Sequence, residues 1–149
     1  MRKYVLDTHL YVDAVQDADK AGELEAFYAA FLPATYLSSV VVMELLAGAL
    51  DRRTELELDR ALIAPFERRR RVLTPSHQAW RASGELLADF ARRDGLDLRR
   101  TPKSFVNDIL LALSCREAGM TLITANVRDF KRIRRSVRFE FVHAWPEPE

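Results

Sequence analysis

The sequence is poor in the residues that build several kinds of site. It has one cysteine, Cys115, so it can form neither an intrachain disulfide nor a thiolate metal cage. Such usage fits a reducing cytoplasm. Among only five glycines there is no phosphate-cradling loop, which argues against nucleotide-dependent chemistry. The three histidines, His9, His77 and His143, are scattered without metal-ligand spacing, and His9 reads as a helix-surface residue. Net charge is nearly absent at +1, so overall charge draws no particular partner. The N-terminus reaches Asp7 before a signal-peptide core can form. One uncharged stretch, residues 26–43, approaches the length of a membrane span. Pro33 in its middle, with Thr35, Ser38 and Ser39 following, makes it the end of a helix, a turn and a strand, and no membrane association is expected.

What remains is an ordinary globular composition, 48% hydrophobic and 30% charged over 149 residues, consistent with one domain. The expected domain covers residues 1–145, with a frayed tail at 146–149. Two basic runs stand out: Arg68, Arg69, Arg70 and Arg71, and then Lys131, Arg132, Arg134, Arg135 and Arg138. Each is either solvated surface or a phosphate-facing patch.

Strands and helices alternate along the chain. KYVLD reads as a strand and residues 8–16 as a helix that Asp7 or Thr8 can cap. Residues 20–32 form a helix ending before Pro33, TYLSS a strand, and VVVMELLAGAL a helix in which Gly48 suits close packing. Residues 52–70 continue helically with an interruption at Pro65. A strand at 72–74 follows, then a helix over 76–93 opened by Pro75 and stopped by Gly95. On that helix Trp80 and Phe90 read as core. Another helix runs from Thr101 and Pro102 to Glu117 and stops at Gly119. MTLIT is a strand, 127–133 a short helix and FEFVHA a last strand. Strands joined by helix-length connections predict a three-layer α/β/α sandwich around a mainly parallel sheet.

Three acids stand alone among apolar neighbours. Asp7 is the only acid in YVLDTHLYV, Glu44 the only charge between Glu25 and Asp51, and Asp108 the only charge in FVNDILLALSC. Burying a lone carboxylate costs several kcal/mol unless something pairs with it. Each has a bland explanation: a cap at Asp7, an exposed helix former at Glu44, a first-turn acid favoured by the helix dipole at Asp108. Yet each follows a strand or opens a helix, and those places line the ligand crevice of an open parallel sheet. Carboxylates gathered there suit a hard cation, Mg²⁺ or Mn²⁺, not zinc. Glu44 is then expected to face a metal ion or a water bound to it.

The ordered segments LDTHL at Asp7, ELLAG at Glu44, NDILLALSCREAG at Asp108 and LITANVRDF at Asn126 to Asp129 resemble the PIN-domain nucleases, and within them the VapC-type toxin ribonucleases. The resemblance spans nearly the whole chain. It implies Mg²⁺- or Mn²⁺-dependent hydrolysis of RNA phosphodiesters, a homodimer, and neutralisation by a small antitoxin protein. Carried over by position, Asp7, Glu44 and Asp108 are the first three acids, with Asp7 and Asp108 the direct metal ligands. Thr8 and Thr124 are the accompanying hydroxyls. The fourth acid falls at Asn126 or Asp129; Asn126 occupies a position acidic in many members, and Asp129 lies one turn along. Either Asp129 or Glu44 is placed to orient the attacking water, unless Asp129 instead pairs locally with Arg132. Two other readings stay open: a degenerate, non-catalytic member that binds RNA or protein, which Asn126 favours, and a hydrolase of small phosphate esters. The latter lacks a nucleophile motif of aspartates two residues apart.

Overall fold

The protein is described from a computed structural model that covers residues 1–143, 145 and 146. The expected frayed tail, Pro146 apart, lies outside the described residues. The chain begins with β1 (Tyr4–Leu6), α1 (Thr8–Gln16) and α2 (Ala18–Phe31), then a short 3₁₀ turn. Next come β2 (Thr35–Ser38), α3 (Ser39–Ala47), α4 (Arg52–Leu58) and, after a π-helical segment at Asp59–Ile63, α5 (Ala64–Arg68). The second half holds β3 (Val72–Leu73), α6 (His77–Asp94), α7 (Lys103–Ala118), β4 (Thr121–Ile123), α8 (Val127–Arg134) and β5 (Phe141–Val142).

The five strands form one sheet in the order β3-β2-β1-β4-β5, and every pairing is parallel. The strand order reverses between β1 and β4. Right-handed crossovers therefore send α1–α5 to one face and α6–α8 to the other. The α/β/α sandwich follows, with α1 packed on α2 and α3, and α7 packed on α6 and α8. Val5, Leu6, Leu37, Leu122 and Ile123 are at most 1% exposed, because a parallel sheet is covered on both faces and its strands read as unbroken apolar runs. Among the described residues no helix is long and apolar enough to cross a membrane. Residues 26–43 divide among α2, the 3₁₀ turn, β2 and α3.

Pro65 does interrupt the helix, and it does so through a π segment. A proline ring clashes with the carbonyl four residues earlier, and the chain widens into the π segment immediately before it. Several local expectations are corrected. Pro75 is not the first helical residue. Ser76 is the cap, its hydroxyl accepting from Ala79 N at 3.2 Å. Trp80 is not core but 59% exposed. The buried stripe of α6 is Ala79, Ser83, Leu86 and Phe90, and Trp80 lies one residue, about 100°, off it. Gly48 is not in a close approach. A Cβ there would meet nothing nearer than the Glu44 carbonyl oxygen at 3.5 Å, and the residue simply ends α3. Gly95 and Gly119 do stop α6 and α7, both at φ +68°, where glycine avoids the Cβ penalty.

The first basic run separates into two roles. Arg68, Arg69 and Arg70 are exposed. Arg71 lies over the Phe66 ring and donates from Nη1 to the Leu32 carbonyl at 2.8 Å. It thereby fastens the amino-terminal edge of the sheet, opposite the edge that carries the acids.

Candidate active site

Asp7 leaves β1 at the strand-order reversal, where its N–H still donates to the Ile123 carbonyl of β4 at 3.0 Å. Its backbone is extended and its side chain caps α1, Oδ1 accepting from Thr8 N at 2.8 Å. The other oxygen, Oδ2, accepts from Thr124 Oγ1 at 2.7 Å. Capping and a place in the crevice therefore coexist in one residue. Thr124, fully buried at the end of β4, also accepts from Asn126 N at 3.0 Å.

Glu44 lies in the second turn of α3, half-buried, and Oε1 accepts from Thr8 Oγ1 at 2.7 Å. Its partner within the chain is thus a hydroxyl from the residue after Asp7. Asp108 lies in the second turn of α7 and is 7% exposed. It is too far along the helix to be explained as a first-turn acid, and α7 has no acid in its first turn. Asn126 caps α8, its Oδ1 accepting from Asp129 N at 3.4 Å. Its Nδ2 donates to Asp129 Oδ2 at 3.0 Å and to Asp108 Oδ2 at 3.3 Å. Asp129 does not pair with Arg132. That guanidinium sits between the rings of Phe90 and Phe105, 5.0 Å from each centroid. His9, His77 and His143 are all exposed.

The residues singled out in the sequence are therefore joined by hydrogen bonds into one network, Glu44–Thr8–Asp7–Thr124–Asn126, branching at Asn126 to Asp108 and Asp129. Burial pushes the Asp7 carboxyl up, opposed by hydrogen bonds from Thr124 and Thr8 and by the charge of His9. Burial raises Asp108 further, to about 8, and the charges of Asp7, Glu44 and Asp129 add to it. Carboxylates that lift one another's proton affinity are relieved by a cation. Among the described residues no three acidic, histidine or cysteine side chains already stand at metal-cage distance. The acids are linked to one another through neutral hydroxyl and amide donors. As a donor set they fit a hard divalent ion, being all oxygen and mutually repelling.

What sequence reasoning missed is a groove beside Glu44, of about 620 Å³, lined by Tyr11, Leu24, Tyr28, Leu45, Leu58 and Leu62. The signal available was the apolar spacing of Tyr11 and Val15 on α1 beside Leu24 and Tyr28 on α2. Val15 is 80% exposed.

The PIN domain family model matches residues 4–136. A comparison with curated proteins gives no match. Among solved structures, the chain is similar to one in DNA-bound VapBC from Salmonella typhimurium, with a TM-score of 0.69, 25% identity, and coverage of 95% of this chain and 98% of that one. It shares its fold with a chain of FitAcB from Neisseria gonorrhoeae, with a TM-score of 0.64, 18% identity, and coverage of 94% and 96%. The same holds for VapBC-1 from nontypeable Haemophilus influenzae, with a TM-score of 0.63, 23% identity, and coverage of 93% and 96%. The family match, over most of the chain, places the protein in the PIN domain family.

Proposed function

We propose that the protein is a divalent-metal-dependent endoribonuclease, cytoplasmic, and the toxin of a toxin–antitoxin pair. The observation that carries this reading is the gathering of Asp7, Glu44, Asp108 and Asp129 by hydrogen bonds through Thr8, Thr124 and Asn126, in a chain of the PIN domain family. Asp7, Asp108, Glu44 and Asp129 would hold Mg²⁺ or Mn²⁺. When bound, such an ion supplies electrostatic stabilisation of the anionic phosphoryl transition state and acidifies the attacking water.

The chain's own residues do the rest. Thr124 and Thr8 orient the carboxylates of Asp7 and Glu44. Asn126 holds Asp108 and Asp129 at a fixed separation. Asp129 or Glu44 accepts the proton of the attacking water. With the ion bound, a phosphodiester reaching the crevice would meet positive charge held in place in advance.

The test is incubation of the purified chain with RNA and with a chromogenic phosphate monoester, in EDTA and in Mn²⁺. RNA cleavage only with Mn²⁺, and no ester hydrolysis, is the expected result. Ester hydrolysis alone would point to a small-phosphate hydrolase. The non-catalytic reading draws on Asn126, a neutral amide between two acids. It requires RNA binding without cleavage in any metal.

Asp129 is proposed as the fourth charge. Asn126 can hydrogen-bond a ligand but cannot neutralise a cation. Asp129→Asn is expected to slow RNA cleavage roughly tenfold or more, about 1.4 kcal/mol of transition-state stabilisation. A wild-type rate with unchanged metal dependence would leave a site of three acids.

An antitoxin and a homodimer complete the reading. The VapBC and FitAcB chains were solved as complexes, and here an apolar groove leads to Glu44. A partner peptide lying in it would bring a cation, best an arginine, to the acids through charge-assisted bonds. Co-expression with the small protein encoded beside this chain is expected to give a co-purifying complex and to restore growth. Failure of both would remove the toxin role while leaving the nuclease.

A further inference from the structure

Several surface arginines are matched along their own helix: Arg52 with Glu55, Arg53 with Glu57, Arg81 with Glu85 and Arg93 with Asp89, at 2.7 to 3.2 Å. Among the described residues Arg128, Lys131, Arg132 and Arg135 have no acidic partner within 4.0 Å. Their spacing, i, i+3, i+4, i+7, puts them on one face of the helix. Arg128, Lys131 and Arg135 are exposed. Arg132 is fixed by its two phenylalanine rings. The one acid of the helix, Asp129, is turned to Asn126.

This face starts at the crevice. The cap of α8, Asn126, touches Asp108, and Phe105, which holds Arg132, lies one turn before Asp108 on α7. An acidic pocket repels a polyanion unless cations lie beside it. The other basic run, Arg68 to Arg71, lies at the opposite edge of the sheet and cannot serve.

We infer that the Arg128–Lys131–Arg132–Arg135 face of α8 is a phosphate-contacting track, independent of base sequence, for single-stranded RNA entering the acidic crevice; the inference rests on the nuclease reading. The buried acids require a strand flexible enough to bend into the crevice, which favours single-stranded over duplex RNA. Phosphate contacts position a strand but do not read its bases. The face therefore supplies affinity and register, and sequence preference must come from elsewhere.

The test uses the full chain carrying Asp108→Asn, so that RNA is bound and not cleaved, with labelled single-stranded RNAs of several sequences across a range of KCl. Adding Arg128→Gln, Lys131→Gln and Arg135→Gln is expected to weaken binding at least tenfold for every sequence. The slope of log affinity on log salt should fall by about 2, from roughly 0.7 for each phosphate no longer neutralised. Removing the matched cations, Arg81→Gln with Arg93→Gln, should change neither. Arg128→Lys with Arg135→Lys should keep the affinity, which guards against a folding defect in the glutamine variant. Unchanged affinity and slope in the triple variant, with the parent binding RNA and the wild type cleaving it, would overturn the track and leave the nuclease intact. No RNA binding by the parent and no cleavage by the wild type would overturn both.

Discussion

Asp108→Asn and Asp7→Asn are each expected to abolish metal-dependent RNA cleavage, a loss of at least about 10³-fold, or on the order of 4 kcal/mol of transition-state stabilisation. Both changes keep the shape of the side chain and remove one charge. Asparagine caps a helix about as well as aspartate, so in Asp7→Asn the amide oxygen can still receive Thr8 N, while the amide NH2 faces Thr124 Oγ1, which can turn to accept from it. In Asp108→Asn the amide oxygen can still accept from Asn126. The fold is retained while the carboxylate that would hold the cation is replaced at each position by a neutral amide. Cleavage of a labelled RNA by the purified variants, each checked by thermal unfolding, measures this. A wild-type rate in both variants would remove the acids from the chemistry.

The second large effect concerns stability without metal and carries the opposite sign. The Asp108 carboxyl has a pKa of about 8 in the fold against an ordinary value of 3.8. Between those values the folded chain binds a proton that the unfolded chain has released. Stability therefore falls as pH rises through this window and levels off above it. Asp7 is shifted in the same direction by burial and adds to the slope. In EDTA, the Tm of the wild type is expected to drop between pH 5 and pH 9. Asp108→Asn, which has no proton to lose, should flatten most of that drop. At pH 9 it should be the more stable chain by on the order of 2 kcal/mol, about 5 °C for a domain of this size. Equal pH slopes in the two proteins would show that burial and its neighbours' charges do not raise the proton affinity of Asp108.

Where the chain ends one element and begins the next, local chemistry was mostly enough to read it. Residues 8–16 were legible as a helix because an apolar β-rich run stops at a capping acid. Gly95 and Gly119 marked helix ends by being the residue that tolerates positive φ. Pro65 was legible as an interruption, but not as a π segment, since the way a helix absorbs a missing N–H depends on what it packs against. Trp80 misled because a bulky aromatic suggests core. The true stripe of α6 runs through Ala79 and Ser83, small residues that carry little hydrophobic signal.

The acids of the crevice were legible for a physical reason. A single charge in an apolar run such as VVVMELLAG must be explained by something outside the run. The hydrogen bonds that hold them were not legible, because they join positions far apart in the chain. Asp7 meets Thr124 across a separation of 117 residues, fixed by the pairing of Leu6 with Ile123. Whether Asp129 would face the crevice or Arg132 was undecidable from their i, i+3 spacing. It was decided by Phe90 and Phe105, on two other helices.

A cluster of carboxylates, Asp108 among them, that takes up a divalent cation in place of a proton is what every functional step above depends on. The most direct measurement is calorimetric titration of the metal-free chain with Mn²⁺ at pH 7, in buffers of different ionisation enthalpy. Binding with release of roughly one proton is the expected result, since the metal displaces hydrogen from a carboxyl whose pKa lies above the working pH. Both the binding and the proton release should be lost in Asp108→Asn. No Mn²⁺ binding by the wild type, or binding of equal strength and proton count in the variant, would contradict it.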